Sequence, residues 1–196
     1  MLSFREFPPP LNQVVYSTPP YLRPLPEGAE KKEAPPIPAD YIFDNVLLGP
    51  NIPPHDAHLL YGAKTIISCL AGHGHQATKD VETMHFQCVD HPLQVLPLDA
   101  AADAIFFATE KGPVYVHCRM GVSRSTSLVV AYIMKYLQPP CRRDASLALD
   151  YVRSKRKHVN PNYGFLLQLK AYEEALNSTV RCRRERPIRD NYELFT

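Results

Sequence analysis

The feature that most constrains the fold of this chain is a six-residue loop between two segments that both have to be buried. Residues 113–118 (PVYVHC) form an apolar, β-branched run, and residues 125–137 are apolar on almost every side. The first run predicts a buried strand that ends at His117, and the second predicts a helix inside the domain that begins near Arg124. Both ends of the intervening loop are therefore fixed by the core.

This loop predicts an anion site. Its N–H groups can turn inward together with the free N–H groups of the first helical turn, and the positive end of the helix dipole lies behind them. Arg124 adds a planar, permanently charged fork that can hold two phosphate oxygens. Cys118 would then be a thiolate, with its pKa lowered from about 8.5 to roughly 3.5–7.5. A structural cysteine beside a surface arginine would not need all of these features together.

The motif His117-Cys118-x5-Arg124-Ser125 resembles the signature of the protein tyrosine phosphatase superfamily, and the fuller HCRMGVSRS resembles its dual-specificity branch. The resemblance covers about residues 39–177 and includes NVLLG at 45–49 and HVNPNYGFLLQL at 158–169. It implies an α/β fold with a central mixed sheet flanked by helices. It also implies a phosphatase acting on phosphotyrosine and phosphoserine/threonine in proteins, with no metal or cofactor.

The resemblance implies a role for each residue of the loop. Cys118 would attack phosphorus to form a cysteinyl-phosphate, and Arg124 would bind the equatorial oxygens. Ser125 would hydrogen-bond the sulfur and improve it as a leaving group in the second step. The other substrate-binding positions are His117, Arg119, Met120, Gly121, Val122 and Ser123.

The resemblance also implies a general acid, an aspartate at the end of a strand upstream of the nucleophile. Asp90 ends the expected short strand that contains HFQCV at 85–89 and fits this description. Asp99 and Asp103 are alternatives, but both fall on or beside the following helix, where a first-turn or surface role is expected. We expect Asp90 to donate the proton and then to act as the base for water.

Apolar patterning predicts alternating strands and helices and then a helical finish, typical of an α/β sandwich around one sheet. The expected strands are residues 41–49, 63–70, 85–90 and 113–118. The expected helices lie near 54–61, around the face formed by Leu98, Ala102, Ile105 and Phe106, and over 125–137, 146–153 and 164–176.

Both ends of the chain differ in composition from residues 39–177, which we interpret as the catalytic domain. Residues 1–38 are rich in proline, which predicts an unstructured arm, with a peptide ligand for another domain as the alternative. Residues 178–196 predict a basic tail, with a docking or nuclear-import segment as the alternative. The basic run at 155–158 is interpreted as a solvated helix end, or else as a surface that attracts acidic substrates.

The cysteine content, the net charge and the apolar runs indicate the cellular compartment and the kinds of partner to expect. The five cysteines include no C-x-x-C pair, which favours reduced thiols and a cytoplasmic or nuclear location. Cys69 and Cys88 are expected to be small buried residues, although the resemblance also allows a disulfide with an oxidised Cys118. The net charge of +2 does not indicate nucleic-acid binding, and no apolar run predicts a membrane span or a secretion leader.

Two other functions stay open at this stage. The same chemistry could act on a phosphoinositide, an RNA 5′-phosphate or a glycan, although the loop lacks the lysine that a highly anionic lipid would favour. A module that binds phosphoproteins without turnover is the second alternative. Such a module is expected to have a damaged loop, whereas Cys118, Arg124 and Ser125 are all intact.

Overall fold

The structure, a computed structural model, describes residues 38–138 and 143–185, and for 180–185 it describes the backbone only. Five strands form one mixed sheet in the order β1-β2-β5-β3-β4. β1 and β2 are antiparallel, and all other neighbours are parallel. The strands are β1 Asp40–Phe43, β2 Val46–Gly49, β3 Thr65–Leu70, β4 Glu82–Gln87 and β5 Val114–His117. The predicted α/β fold with a central mixed sheet is confirmed.

The first predicted strand is wrong in one respect. Residues 41–49 do not form a single strand but a hairpin, in which β1 turns at Asp44 and Asn45 into β2. Asp and Asn favour turns because their side chains hydrogen-bond the nearby backbone. The hairpin places β2 against β5, so that Gly49 pairs with His117 next to the nucleophile.

Strand β4 begins and ends three residues earlier than expected. It pairs with β3 from Thr65 opposite Glu82 to Leu70 opposite Gln87. Asp90 therefore does not end the strand but lies in the loop that follows it. The expected and the observed strand are both six residues long, so the difference lies in the register with β3, whose last residue Leu70 pairs with Gln87.

Helices cover both faces of the sheet. They are α1 Pro54–Tyr61, α2 Leu98–Thr109, α3 Arg124–Tyr132, α4 Ala145–Lys155 and α5 Tyr163–Glu185. One sheet face packs with α1 through Leu47, Ile66 and Tyr115, while the alternate side chains face the larger core with α2 to α5. Within 38–138 and 143–185, no helix is long and apolar enough to cross a lipid bilayer.

Helix α3 lies at the centre of the molecule, as its apolar composition predicts. Every residue from Arg124 to Tyr132 is buried, and the helix contacts α2, α4, α5 and the sheet. The helix expected over 125–137 begins one residue earlier and changes to a π-helical turn at Ile133–Leu137. The start of α3 cannot shift without disturbing the core, which fixes the loop that precedes it.

Helix α5 is longer than expected. The sequence predicts it over 164–176, but it continues to Glu185, so the first eight residues of the predicted 178–196 tail are helical. No proline interrupts the sequence between Gly164 and Pro187, which is consistent with this length. Residues 1–37 of the predicted arm at 1–38, Cys141 and the rest of the tail lie outside the described residues.

Gly164 allows α5 to approach the loop after β4. A Cβ atom at this position would collide with the backbone carbonyl of Pro92. We therefore expect Gly164→Ala to lower the free energy of unfolding by about 1–3 kcal/mol, the usual cost of overpacking. Urea unfolding measures this loss. The matched control is Leu167→Ala at an exposed position of the same helix, for which we expect a change within about 0.5 kcal/mol. Equal effects of both variants would contradict the close packing.

Candidate active site

The loop between β5 and α3 has the length that the sequence predicts. β5 ends at His117 and α3 begins at Arg124, so six residues connect them. Gly121 is in the left-handed region with φ of 65°, and a Cβ there would collide with the Gly49 carbonyl of β2. Only glycine fits this point without strain. The loop thus closes tightly over the end of β2.

The carbonyl groups of this loop are all engaged by hydrogen-bond donors. The donors are His117 Nδ1 to Cys118 at 3.1 Å, Asn51 N to Arg119 at 3.2 Å, Arg156 to Met120 at 3.2 Å and to Gly121 at 2.9 Å, Asn160 N to Val122 at 2.8 Å, and Ser127 N to Ser123 at 3.0 Å. In a planar trans peptide the N–H points away from its own C=O. Turning these carbonyls outward therefore turns the amides of 119–124 towards the inside of the loop.

Cys118 lies at the floor of this loop and is 2% exposed. Burial alone would raise the pKa of its thiol, because it penalises the charged form. Hydrogen bonds oppose burial: they come from the Ser125 hydroxyl, whose Oγ lies 3.2 Å from Sγ, and from the amides of Ser125, Val122 and Met120. These donors outweigh burial, and the pKa of Cys118 is below its usual value.

Arg124 is held in position by the backbone. It is 8% exposed, and its Nη1 donates to the Cys88 carbonyl at 3.2 Å. Its Nε lies 3.5 Å from Asp90 Oδ2, close enough for an ion pair, but it makes no hydrogen bond among the described residues. The Nε edge of the guanidinium is thus available to an anion above Cys118.

Asp90 is brought to the same site. Its Oδ1 accepts hydrogen bonds from Ser123 Oγ and from Asn162 Nδ2, both at 2.9 Å. Its side chain is 38% exposed, so it also reaches solvent. Oδ1 is thus engaged twice, whereas Oδ2 lies beside Arg124 Nε.

The two alternative acids lie elsewhere. Asp99 and Asp103 both pair with Lys135 at 2.6 Å and line a groove between α2 and α5. Hydrogen bonds from Lys135 and Tyr172 lower the pKa of Asp99, which keeps it ionised. These contacts favour a structural role for both residues.

His117 is a neutral histidine at physiological pH. Burial lowers its pKa to about 4, although a hydrogen bond to the Cys118 carbonyl works in the opposite direction. The ring therefore donates through Nδ1 to that carbonyl and packs against the His75 ring at a centroid distance of 5.1 Å. A neutral ring bonded to the Cys118 carbonyl can help to orient the loop.

A search with protein-family models matches residues 59–175 to the catalytic domain of dual-specificity phosphatases. This match covers more than half of the chain. The chain belongs to the dual-specificity phosphatase family.

Human dual specificity protein phosphatase 5 is 36% identical over 127 residues, which are 64% of this chain and 31% of that protein. The leucine-rich-repeat MAP kinase phosphatase 3 of Dictyostelium discoideum is 46% identical over 70 residues, which are 36% of this chain and 8% of that protein. The chain thus spans less than a third of either relative.

Solved structures of the family have the same fold. A point variant of human DUSP28 superposes with a TM-score of 0.66 at 25% identity, covering 74% of this chain and 99% of that one. A putative dual specificity phosphatase from mouse, solved with zinc tungstate, gives a TM-score of 0.64 at 23% identity, covering 77% of this chain and 96% of that one. At this identity the mouse structure supports the fold alone.

The residues of the loop differ in exposure. The side chains of Arg119 and Met120 are exposed at the rim, whereas Gly121 and Ser123 are buried.

Cys69 and Cys88 are buried free thiols close to Cys118. A hydrogen bond with Cys88 and burial both raise the pKa of Cys69, which stays a neutral thiol.

Sequence reasoning missed several residues that support the site. Asn160 and Asn162 lie in the HVNPNYGFLLQL motif, so the resemblance gave a signal for their importance but not for their contacts. Asn51 carried no signal. Arg156 was interpreted as part of a solvated helix end, and this is wrong, because the residue is 1% exposed and binds the loop.

Ser125→Ala removes one donor to the sulfur, so we expect the pKa of the Cys118 thiol to rise. A hydrogen bond to a charged group contributes about 1.5–3 kcal/mol, which corresponds to about one to two pKa units. The pH dependence of Cys118 alkylation by iodoacetamide measures the shift. Ser127→Ala is the matched control, because this buried hydroxyl bonds the Ser123 carbonyl rather than the sulfur. An unchanged profile in Ser125→Ala would contradict the assignment.

His117 makes stability depend on pH. Its folded pKa of about 4 is below the unfolded value of about 6.5, so the unfolded chain binds a proton that the folded chain does not. Its contribution is fully present above about pH 6.5 and is lost as the pH falls towards 4. We expect His117→Asn to reduce the slope of unfolding free energy between pH 4.5 and 6.5, measured with urea. The control variant His158→Asn, at an exposed position, should keep the wild-type slope. An unchanged slope in His117→Asn would contradict the assignment of this pH dependence to His117.

Proposed function

We propose that this chain hydrolyses phosphotyrosine and phosphoserine/phosphothreonine in proteins through a cysteinyl-phosphate intermediate. The observation that carries this proposal is the Cys118 thiol, buried yet lowered in pKa by donors that converge on one point. The same donors suit the oxygens of a phosphate ester placed above the sulfur. Membership of the dual-specificity phosphatase family supports the same chemistry.

In the proposed first step, the Cys118 thiolate attacks phosphorus in line with the ester oxygen. The S–P bond forms, the P–O bond breaks, and Asp90 gives its Oδ2 proton to the departing alcohol. Arg124 and the inward amides bind the three remaining phosphoryl oxygens and follow their charge into the transition state.

In the second step, Asp90 acts as the base. It takes a proton from water as the water oxygen attacks the phosphorus of the cysteinyl-phosphate. The S–P bond breaks, and the sulfur leaves as a thiolate that the Ser125 hydroxyl stabilises at 3.2 Å. Inorganic phosphate then leaves, and both side chains return to their starting protonation states.

The rim of the site supports a protein substrate. Val89, Leu93 and Val95 flank Asp90 and are exposed, as is Tyr163 at the start of α5. Apolar side chains around a charged floor suit a polypeptide that presents one phosphorylated residue among uncharged surroundings. No lysine occurs in the loop to bind further phosphates of an inositol lipid.

The cellular location and a partner for the Pro-rich arm also belong to this proposal. We place the protein in the cytoplasm or nucleus, where Cys69, Cys88 and Cys118 would stay reduced. A partner for the Pro-rich arm stays a prediction, because residues 1–37 lie outside the described part of the chain.

Asp90→Asn tests the acid and the reaction together, because it keeps the size of the side chain but cannot supply the proton. We expect kcat to fall by about 10²- to 10⁴-fold on phosphoserine peptides and much less on p-nitrophenyl phosphate. An aryl leaving group needs less help from an acid. Asp80→Asn, at an exposed position of the β3–β4 connection, is the matched control and should keep full activity.

Three results would overturn parts of the proposal. An equal loss on both substrates would show that Asp90 is not the acid. A wild-type rate as low as that of Cys118→Ser would favour a binding module. A higher kcat/KM on phosphoinositides or 5′-phosphorylated RNA than on phosphopeptides would reject the protein substrate.

A further inference from the structure

Arg156 is a buried cation that the proposed chemistry does not use. It follows α4 directly, in extended conformation, and is 1% exposed. Its guanidinium makes four hydrogen bonds: Nε to the Gly121 carbonyl at 2.9 Å, Nη2 to the Met120 carbonyl at 3.2 Å, and Nη1 to both the Pro38 carbonyl and Asp40 Oδ2 at 2.7 Å. A charge this deep needs a specific reason, because burial of an ion is costly even when it is paired.

Two of these bonds act on peptide units that face the nucleophile. The peptide between residues 121 and 122 gives its carbonyl to Arg156 Nε, and its N–H, that of Val122, to the Cys118 sulfur. The preceding peptide gives the Met120 carbonyl to Arg156 and turns the Gly121 N–H inward. A single peptide group therefore connects Arg156 to the Cys118 sulfur, and the two side chains need no direct contact.

The residue between these two peptides is the one that most needs support. Gly121 has φ of 65° and no side chain, so its backbone has more alternative conformations than any other position of the loop. A rotation of either neighbouring peptide would point a carbonyl oxygen towards the phosphate site and remove a donor. Arg156 holds both carbonyls from outside and opposes that rotation.

An arginine is required for this task because of its shape. The planar guanidinium presents Nε and Nη2 along one edge to two carbonyls, while Nη1 is left for Asp40. Lysine would keep the charge, but its single ammonium could not span both carbonyls and the carboxylate. We propose that Arg156 is a positioning residue that keeps the phosphate loop in its anion-binding conformation, with Asp40 fixing the guanidinium.

The proposal rests on the function proposed above, but its test does not require turnover. We would compare wild type with Arg156→Lys, Arg156→Met and Asp40→Asn. The control is Arg153→Lys, an exposed arginine on the preceding turn that pairs with Asp150. The readouts are the pH profile of Cys118 alkylation by iodoacetamide, the protection of Cys118 by inorganic phosphate, kcat/KM, and the thermal unfolding midpoint.

We expect Arg156→Lys to move the Cys118 profile upwards towards the free-thiol value of about 8.5, although the charge is kept. Phosphate protection should weaken in parallel, and kcat/KM should fall about 10²-fold, the loss typical of a misplaced site. Asp40→Asn should shift all three in the same direction by less, and Arg153→Lys should shift none.

The proposal would be overturned if folded Arg156→Lys had the wild-type alkylation profile and the wild-type phosphate affinity. A lower unfolding midpoint in that variant would then show that Arg156 contributes to stability only. If both Arg156 variants fail to fold, Asp40→Asn decides by the same readouts: wild-type values for it would also overturn the proposal. Failure of the proposed function is recognised separately, because wild type would then show a low thiol pKa without hydrolysing any phosphopeptide.

Discussion

The candidate active site depends on one constraint: the carbonyl groups of residues 118–123 have to stay turned away from the inside of the loop. Because each peptide is planar, an outward carbonyl turns the next N–H inward, so acceptors satisfied on the outside create donors on the inside. The outer donors come from five parts of the chain: the end of β5, the segment after β2, the first turn of α3, the residue after α4 and the link to α5. The sheet and helices matter to the chemistry because they bring these donors to one loop.

The two buried thiols Cys69 and Cys118 show that hydrogen bonds, rather than burial alone, decide the direction in which the pKa of a buried thiol shifts. Both are almost completely inaccessible. Cys69 shares a hydrogen bond with Cys88, and this bond and burial both raise its pKa. Cys118 is subject to the same penalty of burial, but a hydroxyl and three amides point at its sulfur and lower its pKa. The segment HC-x5-RS contains both Cys118 and all four of these donors, which belong to Met120, Val122 and Ser125.

Local patterns predicted what is local. The apolar runs indicated all five helices and four strands, of which the first, 41–49, is divided into β1 and β2. In the structure, the HCRMGVSRS motif brings Cys118 at the start of the loop close to Ser125 in the first turn of α3. The hairpin at Asp44 was missed because the apolar residues on both sides of the turn read as one run. Arg156 was missed for a different reason: a basic run at a helix end is usually solvated, and only the tertiary fold places it against a loop 35 residues away. Sequence alone carries no distance between such positions.

The segment that links α4 to α5 supports both halves of the site. Asn160 donates to the Val122 carbonyl of the phosphate loop, and two residues later Asn162 donates to Asp90. At the start of α5, Gly164 packs against Pro92, and Gln168 bonds the backbone of Gln94 and Leu96. The proposed general acid catalysis requires the acid and the nucleophile at a fixed separation. Because one helix start binds both loops, Asp90 is held beside Arg124 by contacts that do not involve the substrate.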